Sequence, residues 1–151
     1  MDAPNGPSSR ASPSAVSDPA RDRMVLVGSI TSASTDEVWA FSFATHNWSQ
    51  LPKSASPRFD MGATTDGADA WFYGELVNRL QPTDELWQFD LASDTWALLP
   101  QSHMRPSPRT NMRIGVDSGS LNIVGGPDAT GLTPGTWPYQ FSSHAWTLKI
   151  H

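Results

Sequence analysis

The chain contains no cysteine, and this absence excludes disulfide frameworks, cysteine-ligated zinc sites and thiol nucleophiles. Basic residues are scarce, since 10 Lys and Arg stand against 15 Asp and Glu and give a net charge of −5. A nucleic-acid-binding domain normally carries a basic stripe, and none is visible. No apolar run approaches membrane-spanning length, and no stretch of signal-peptide type precedes Arg21. We therefore expect no nucleic-acid partner, no membrane association and, by default, a cytoplasmic location.

Turn-forming and aromatic residues are abundant. The chain has 11 Gly and 13 Pro in 151 residues, so turns should be frequent and helices few. Seven residues are Trp, which are large packing anchors for so short a chain. Because helical periodicity is not evident anywhere, the pattern favours an all-β fold.

Residues 1–23 differ in composition from the rest of the chain. They are rich in Pro, Ser, Ala and Asp and have almost no bulky apolar side chain. Such a segment buries too little surface to offset the entropy lost on ordering. We expect a disordered leader over residues 1–23 and a single domain over residues 24–151.

The domain repeats itself. Residues 35–52 read TDEVWAFSFATHNWSQLP and residues 83–100 read TDELWQFDLASDTWALLP, with 9 of 18 positions identical; residues 133–150 form a weaker copy. Successive copies are offset by 48 (87 − 39) and 50 (137 − 87) residues. A period near 50 residues indicates a repeat architecture. Each copy carries two tryptophans nine residues apart, namely Trp39 and Trp48, Trp87 and Trp96, and Trp137 and Trp146.

Each copy also shows the alternation of a β-strand. Trp39, Phe41 and Phe43 lie two residues apart, and the other copies match this spacing. A short apolar run that ends in glycine precedes each aromatic segment, and the glycines are Gly28, Gly74 and the pair Gly125 and Gly126. Each unit is therefore expected to be a run of antiparallel strands with tight connections.

The glycine-ended strand, the aromatic strand and the second Trp together resemble the kelch-repeat family. Gly125 and Gly126 match the family's glycine doublet, whereas Gly28 and Gly74 match only its first member. The resemblance implies one four-stranded β-propeller blade in each of residues 24–52, 57–100 and 108–150. Repetition assigns the six paired tryptophans and the four glycines to the structural core. Pro138 departs from the pattern, so the third blade should be irregular, or its strand should begin after this proline.

Three blades are fewer than the four to eight of known propellers. The chain is thus expected to form a partial propeller or half of a six-bladed ring. A homodimer would complete the ring; otherwise the open blades dock on a different protein, or the chain is a marginally stable fragment. Unpaired apolar end faces are the reason that these alternatives arise.

The resemblance implies a non-catalytic module or scaffold that binds a protein partner through the loops of one propeller face, without a cofactor. Arg58, Arg109 and Arg113 are candidate partner-binding residues, because Arg is enriched in interface hot spots. A loop within the second repeat, of a kind that varies between copies, contributes three further candidates. These are Val77, Arg79 and Leu80.

Several alternatives stay open. The first is a structural subunit docked by its open end blades in a larger assembly. The second is an enzyme. The third is a carbohydrate-binding module that uses exposed aromatics such as Trp71. The recurring carboxylates at positions 36–37 and 84–85 favour hydrogen bonding in turns over catalysis, since they obey the repeat. No metal site is expected.

Overall fold

The computed structural model describes residues 6–29, 35–54, 58–74, 76–77, 81–133 and 135–150. These residues form three four-stranded antiparallel sheets that follow one another along the chain, which confirms the all-β prediction. Sheet 1 contains β1 (Ser14–Asp18), β2 (Arg23–Val27), β3 (Val38–Ser42) and β4 (Trp48–Leu51). Sheet 2 contains β5 (Gly62–Thr65), β6 (Asp69–Tyr73), β9 (Leu86–Asp90) and β10 (Thr95–Leu98), with the hairpin of β7 (Leu76–Val77) and β8 (Gln81–Pro82) between β6 and β9. Sheet 3 contains β11 (Arg113–Val116), β12 (Ser120–Val124), β15 (Thr136–Gln140) and β16 (Ala145–Trp146), with the hairpin of β13 (Pro127–Asp128) and β14 (Gly131–Leu132) between β12 and β15.

Helical structure is minimal in the part of the chain that the structure describes. A three-residue 3₁₀ turn, Pro19–Arg21, connects β1 to β2. No helix among these residues has the length and apolar character needed to cross a bilayer.

Strand β1 lies in the segment that the sequence assigned to a disordered leader, and for these residues the prediction is wrong. β1 pairs along its whole length with β2. Val16 is buried in the core, and the Ser14 hydroxyl donates to the Met61 carbonyl oxygen at 2.9 Å. The buried carboxylate of Asp18 accepts a hydrogen bond from Arg23 Nε at 2.8 Å. The first unit therefore begins at β1 and not at Met24.

The sheets pack face to face because alternate residues of each strand point to opposite sides. One face of sheet 2, which includes Phe72 and Phe89, shares a core with Val25, Val27 and Val38 of sheet 1. Sheet 2 is consequently apolar on both sides. Its other face shares a second core with sheet 3, formed by Trp71, Tyr73, Leu86, Leu121, Ile123 and Tyr139.

The first strands of the three sheets lie side by side, since β5 contacts both β1 and β11. An ionic contact reinforces the junction of sheets 1 and 2. Arg23 Nη2 lies 2.6 Å from Asp94 Oδ1 and donates to the Leu91 carbonyl oxygen at 2.8 Å.

Pro138 lies in the middle of β15, so the strand does not begin after it as one alternative proposed. The Thr147 amide donates to the Pro138 carbonyl oxygen at 3.0 Å, but proline has no N–H to return the bond. Strand β16 accordingly ends at Trp146, and pairing resumes only at the bridge between Thr136 and Lys149. The third sheet is irregular at its last strand, as its sequence predicted.

Candidate interaction surface

The paired tryptophans divide into two groups. Trp87 and Trp96 pack into the core between sheets 1 and 2, and Trp137 and Trp146 pack into the core between sheets 2 and 3. The first pair, Trp39 and Trp48, belongs to neither core within the described residues.

The first pair lies on what we call the outer face of sheet 1, the side of the sheet opposite to Val25 and Val38. Register places Leu26 beside Trp39, and places Met24 and Trp48 on either side of Phe41. The Phe41 and Trp48 ring centroids are 5.0 Å apart. The outer face of sheet 1 is thus formed by Met24, Leu26, Trp39, Phe41 and Trp48, and Phe43 extends it beyond β3 with 46% of its surface exposed.

The repeat offsets show what covers this kind of face elsewhere in the chain. Phe41 corresponds to Phe89 (41 + 48) and to Tyr139 (89 + 50), and both of these are completely buried. Phe89 is covered by sheet 1 and Tyr139 by sheet 2. Phe41, in contrast, is only partly buried. In the described residues, the outer face of sheet 1 therefore presents an aromatic set whose counterparts are each covered by a neighbouring sheet.

The opposite end of the stack has a different character. The outer face of sheet 3 contains Arg113, Asn122 and Gln140, with Arg113 and Gln140 exposed to solvent. Val124 is its one exposed large aliphatic side chain among the described residues of β11, β12, β15 and β16. The two end faces are thus aromatic and polar, respectively.

Charge borders the aromatic face at one edge. Glu37 accepts hydrogen bonds from Arg10 Nη2 at 2.7 Å and from the Trp39 indole Nε1 at 3.1 Å. The Arg10 guanidinium, followed by the indole, lowers the pKa of the Glu37 carboxyl below its ordinary value. The same indole contact recurs in sheet 2, where Trp87 Nε1 donates to Glu85 at 2.8 Å. The recurring carboxylates therefore orient tryptophans.

Arg58 and Arg109 were predicted to contact a partner, but both are buried, at 1% and 2% exposure. The Arg58 guanidinium carbon lies 5.0 Å from the centroid of the Trp87 ring. Arg109 donates to the carbonyl oxygens of Ser107 and Gly125, both at 3.0 Å. Their burial removes both arginines from the candidate partner contacts, and each serves to hold the connection between two sheets.

The remaining loop candidates are not brought together with the aromatic face. Arg113 begins β11 on the exposed outer face of sheet 3. Val77 lies in β7, and the structure describes only its backbone pairing with Gln81. Arg79 and Leu80 lie outside the described residues. Of the six candidate partner-binding residues, Arg113 alone has a described and exposed side chain.

Trp71, the aromatic residue considered for carbohydrate binding, is 4% exposed and stacks at 5.0 Å on Phe141. It lines a cavity of about 310 Å³ between sheets 2 and 3, together with Asp69, Asp117 and His144. No group of three or more His, Asp or Glu residues in the described ranges is placed to hold a metal ion. Trp71 is thus a buried packing residue and does not form an open sugar-binding platform.

Comparison with known proteins adds no family assignment. No family model matches the chain, and no curated protein matches its sequence.

Proposed function

We propose that this chain is a non-catalytic protein-interaction module, built on a kelch-type partial propeller of three blades, that docks through the outer face of sheet 1. The propeller proposal is supported by the repeat period near 50 residues and by the contacts of β5 with both β1 and β11. Sheets that stack face to face with their first strands together fit blades arranged around a common centre.

The observation that carries the proposal is the aromatic outer face of sheet 1, which belongs to neither core and on which Trp39, Phe41 and Trp48 are only partly buried. Soluble monomers rarely leave a contiguous apolar patch open, and such patches mark interaction sites. Trp and other large aromatics supply much of the binding energy of interfaces. Trp39, Phe41 and Trp48 provide three such anchors on one rigid sheet.

This docking mode corresponds to a subunit that is held by an open end blade. It is favoured over recognition by the loops because Arg58 and Arg109, the proposed loop anchors, are buried. Stacked sheets also make a more rigid support for an interface than loops do.

The test compares two positions at opposite ends of the stack, the partly buried Phe41 and the exposed Val124. The full chain carrying Phe41→Ser or Val124→Ser is used as bait in cells of its native source, alongside the unchanged chain and a second copy with a different tag. Proteins that co-purify stoichiometrically are then purified and titrated against each bait by calorimetry. Phe41→Ser should weaken binding at least tenfold, and Val124→Ser should leave it unchanged. Equal affinity for all three baits would overturn docking through this face.

A further inference from the structure

We propose that the occupant of the outer face of sheet 1 is a second copy of this chain, bound face to face about a twofold axis. This inference rests on the proposed function and identifies the partner of the same surface. It differs from ring closure, in which the aromatic face of one copy would cover sheet 3 of the other.

The chemistry of the two end faces argues against ring closure. A head-to-tail pair would bury Arg113, Asn122 and Gln140 beneath aromatic rings. Burying a charge or an amide without a hydrogen-bonding partner is unfavourable. Within the chain, the aromatic rings of sheet 2 pack against an apolar face of sheet 1, which consists of Val25, Val27 and Val38. The outer face of sheet 3 is polar and differs from it in this respect.

The outer face of sheet 1 is compatible with its own copy. A twofold interface brings the same patch of both subunits together, so the patch must be self-complementary. Leu26, Trp39, Met24 and Phe41 occupy the two central strands, and none of these side chains is charged. Aromatic rings also pair favourably with one another in tilted and edge-to-face arrangements. The centre of such an interface would therefore contain no like charges in contact.

The carboxylate that borders the face also tolerates this arrangement. Glu37, which borders the face, is already paired with Arg10 at 2.7 Å. Repulsion would instead come from the net charge of −5 on each copy. Because salt screens that repulsion, added sodium chloride should tighten the dimer.

The mass of the full chain in solution tests the inference. Light scattering after size exclusion, repeated over a hundredfold range of concentration, should give about 33 kDa at the upper end, twice the 16.4 kDa of one chain. Phe41→Ser should raise the dimer dissociation constant at least tenfold. Val124→Ser, which alters the outer face of sheet 3, should leave it unchanged.

Circular dichroism and the urea midpoint must show that each variant is folded. If Phe41→Ser does not fold, Phe43→Ser replaces it, since Phe43 is 46% exposed and lies at the margin of the same face. A dimer weakened equally by Phe41→Ser and Val124→Ser would overturn the face-to-face arrangement in favour of head-to-tail contact.

Failure of this inference is distinguishable from failure of the proposed function. The chain could be monomeric at every concentration while Phe41→Ser abolishes its binding to a different purified protein. This result would overturn the second copy as the occupant and keep the docking face. A chain whose self-association and partner binding are both indifferent to Phe41→Ser would overturn both.

Discussion

The carbonyl oxygen of Arg109 lies 2.6 Å from the position that a β-carbon on Gly74 would take. The Arg58 carbonyl oxygen makes the corresponding close approach to Gly28 in the preceding unit. Gly125, at the same place in the third unit, meets nothing within 4 Å. The strand-ending glycine of one unit therefore makes room for the connection into the next.

Substitution of these glycines should separate backbone strain from steric contact. Gly74 and Gly125 have nearly equal φ angles of +61° and +66°. Gly125→Ala should lower the free energy of unfolding by about 1 kcal/mol, the cost of a left-handed residue with a β-carbon. Gly74→Ala should cost at least about twice as much, because its β-carbon also meets the Arg109 carbonyl oxygen. Urea unfolding measures both, and equal losses would show that the close approach is unimportant.

Strand β1 should be required for stability. Val16→Asp places a carboxylate in the core beneath β2 and should lower the free energy of unfolding by about 3 kcal/mol or more. Ser17→Asp is the matched control, because Ser17 is the next residue and is exposed. Its effect should stay within about 0.5 kcal/mol. Similar stability of the two variants in urea unfolding would contradict the placement of β1.

Arg109 should contribute to the stability of the fold. Arg109→Met removes the donors that satisfy the Gly125 carbonyl oxygen and the Thr133 hydroxyl, at 3.0 and 2.8 Å. We expect a loss of about 2–4 kcal/mol in the free energy of unfolding, because buried acceptors lose their partners. Arg113→Met, at an exposed position, should change stability by no more than about 0.5 kcal/mol. A folded Arg109→Met variant of unchanged stability would restore this residue as a binding candidate.

The ion pair of Glu37 and Arg10 should make stability depend on pH in the acid range. Because the folded-state pKa of Glu37 lies below its ordinary value of 4.5, its contribution is present above that pH and is lost as pH falls through the folded value. Glu37→Gln should therefore destabilise the protein at pH 7, by about 0.5–1 kcal/mol for a partly exposed pair. Urea unfolding between pH 7 and pH 2 should show this difference shrinking as pH falls. A difference that persists unchanged at pH 2 would contradict the assignment, and Arg10→Met should reduce the pH dependence in the same way.

The sheets were predictable from sequence because the two-tryptophan units repeat with alternating apolar residues. Strand β1 was not, since Ser-Ala-Val-Ser-Asp contains one bulky apolar residue and forms a strand only through its pairing with β2. A strand that depends on tertiary pairing in this way is weakly indicated by its own sequence. The absence of Trp39 from both cores was hidden for the opposite reason, because its sequence environment matches that of Trp87, which packs against the core of sheets 1 and 2.

The arginines illustrate a second limit of sequence reasoning. Arg is rarely fully buried, so a recurring Arg in a connection reads as a surface residue. Arg109 is buried with hydrogen bonds to Ser107, two residues away, and to Gly125, which lies 16 residues away in sequence and comes within reach only in the folded chain. Repetition at equivalent positions was the available signal that these residues are structural.

The polar outer face of sheet 3 affects whether copies of the chain can associate end to end. A protein built from equivalent sheets risks open-ended polymerisation if each end accepts the other, because head-to-tail contacts that do not close generate fibres. Arg113, Asn122 and Gln140 make one end a poor acceptor, and Pro138 shortens the pairing of the last strand. Head-to-tail growth is thereby disfavoured, and the face-to-face pairing proposed above would stop at two copies because it uses the same end of both.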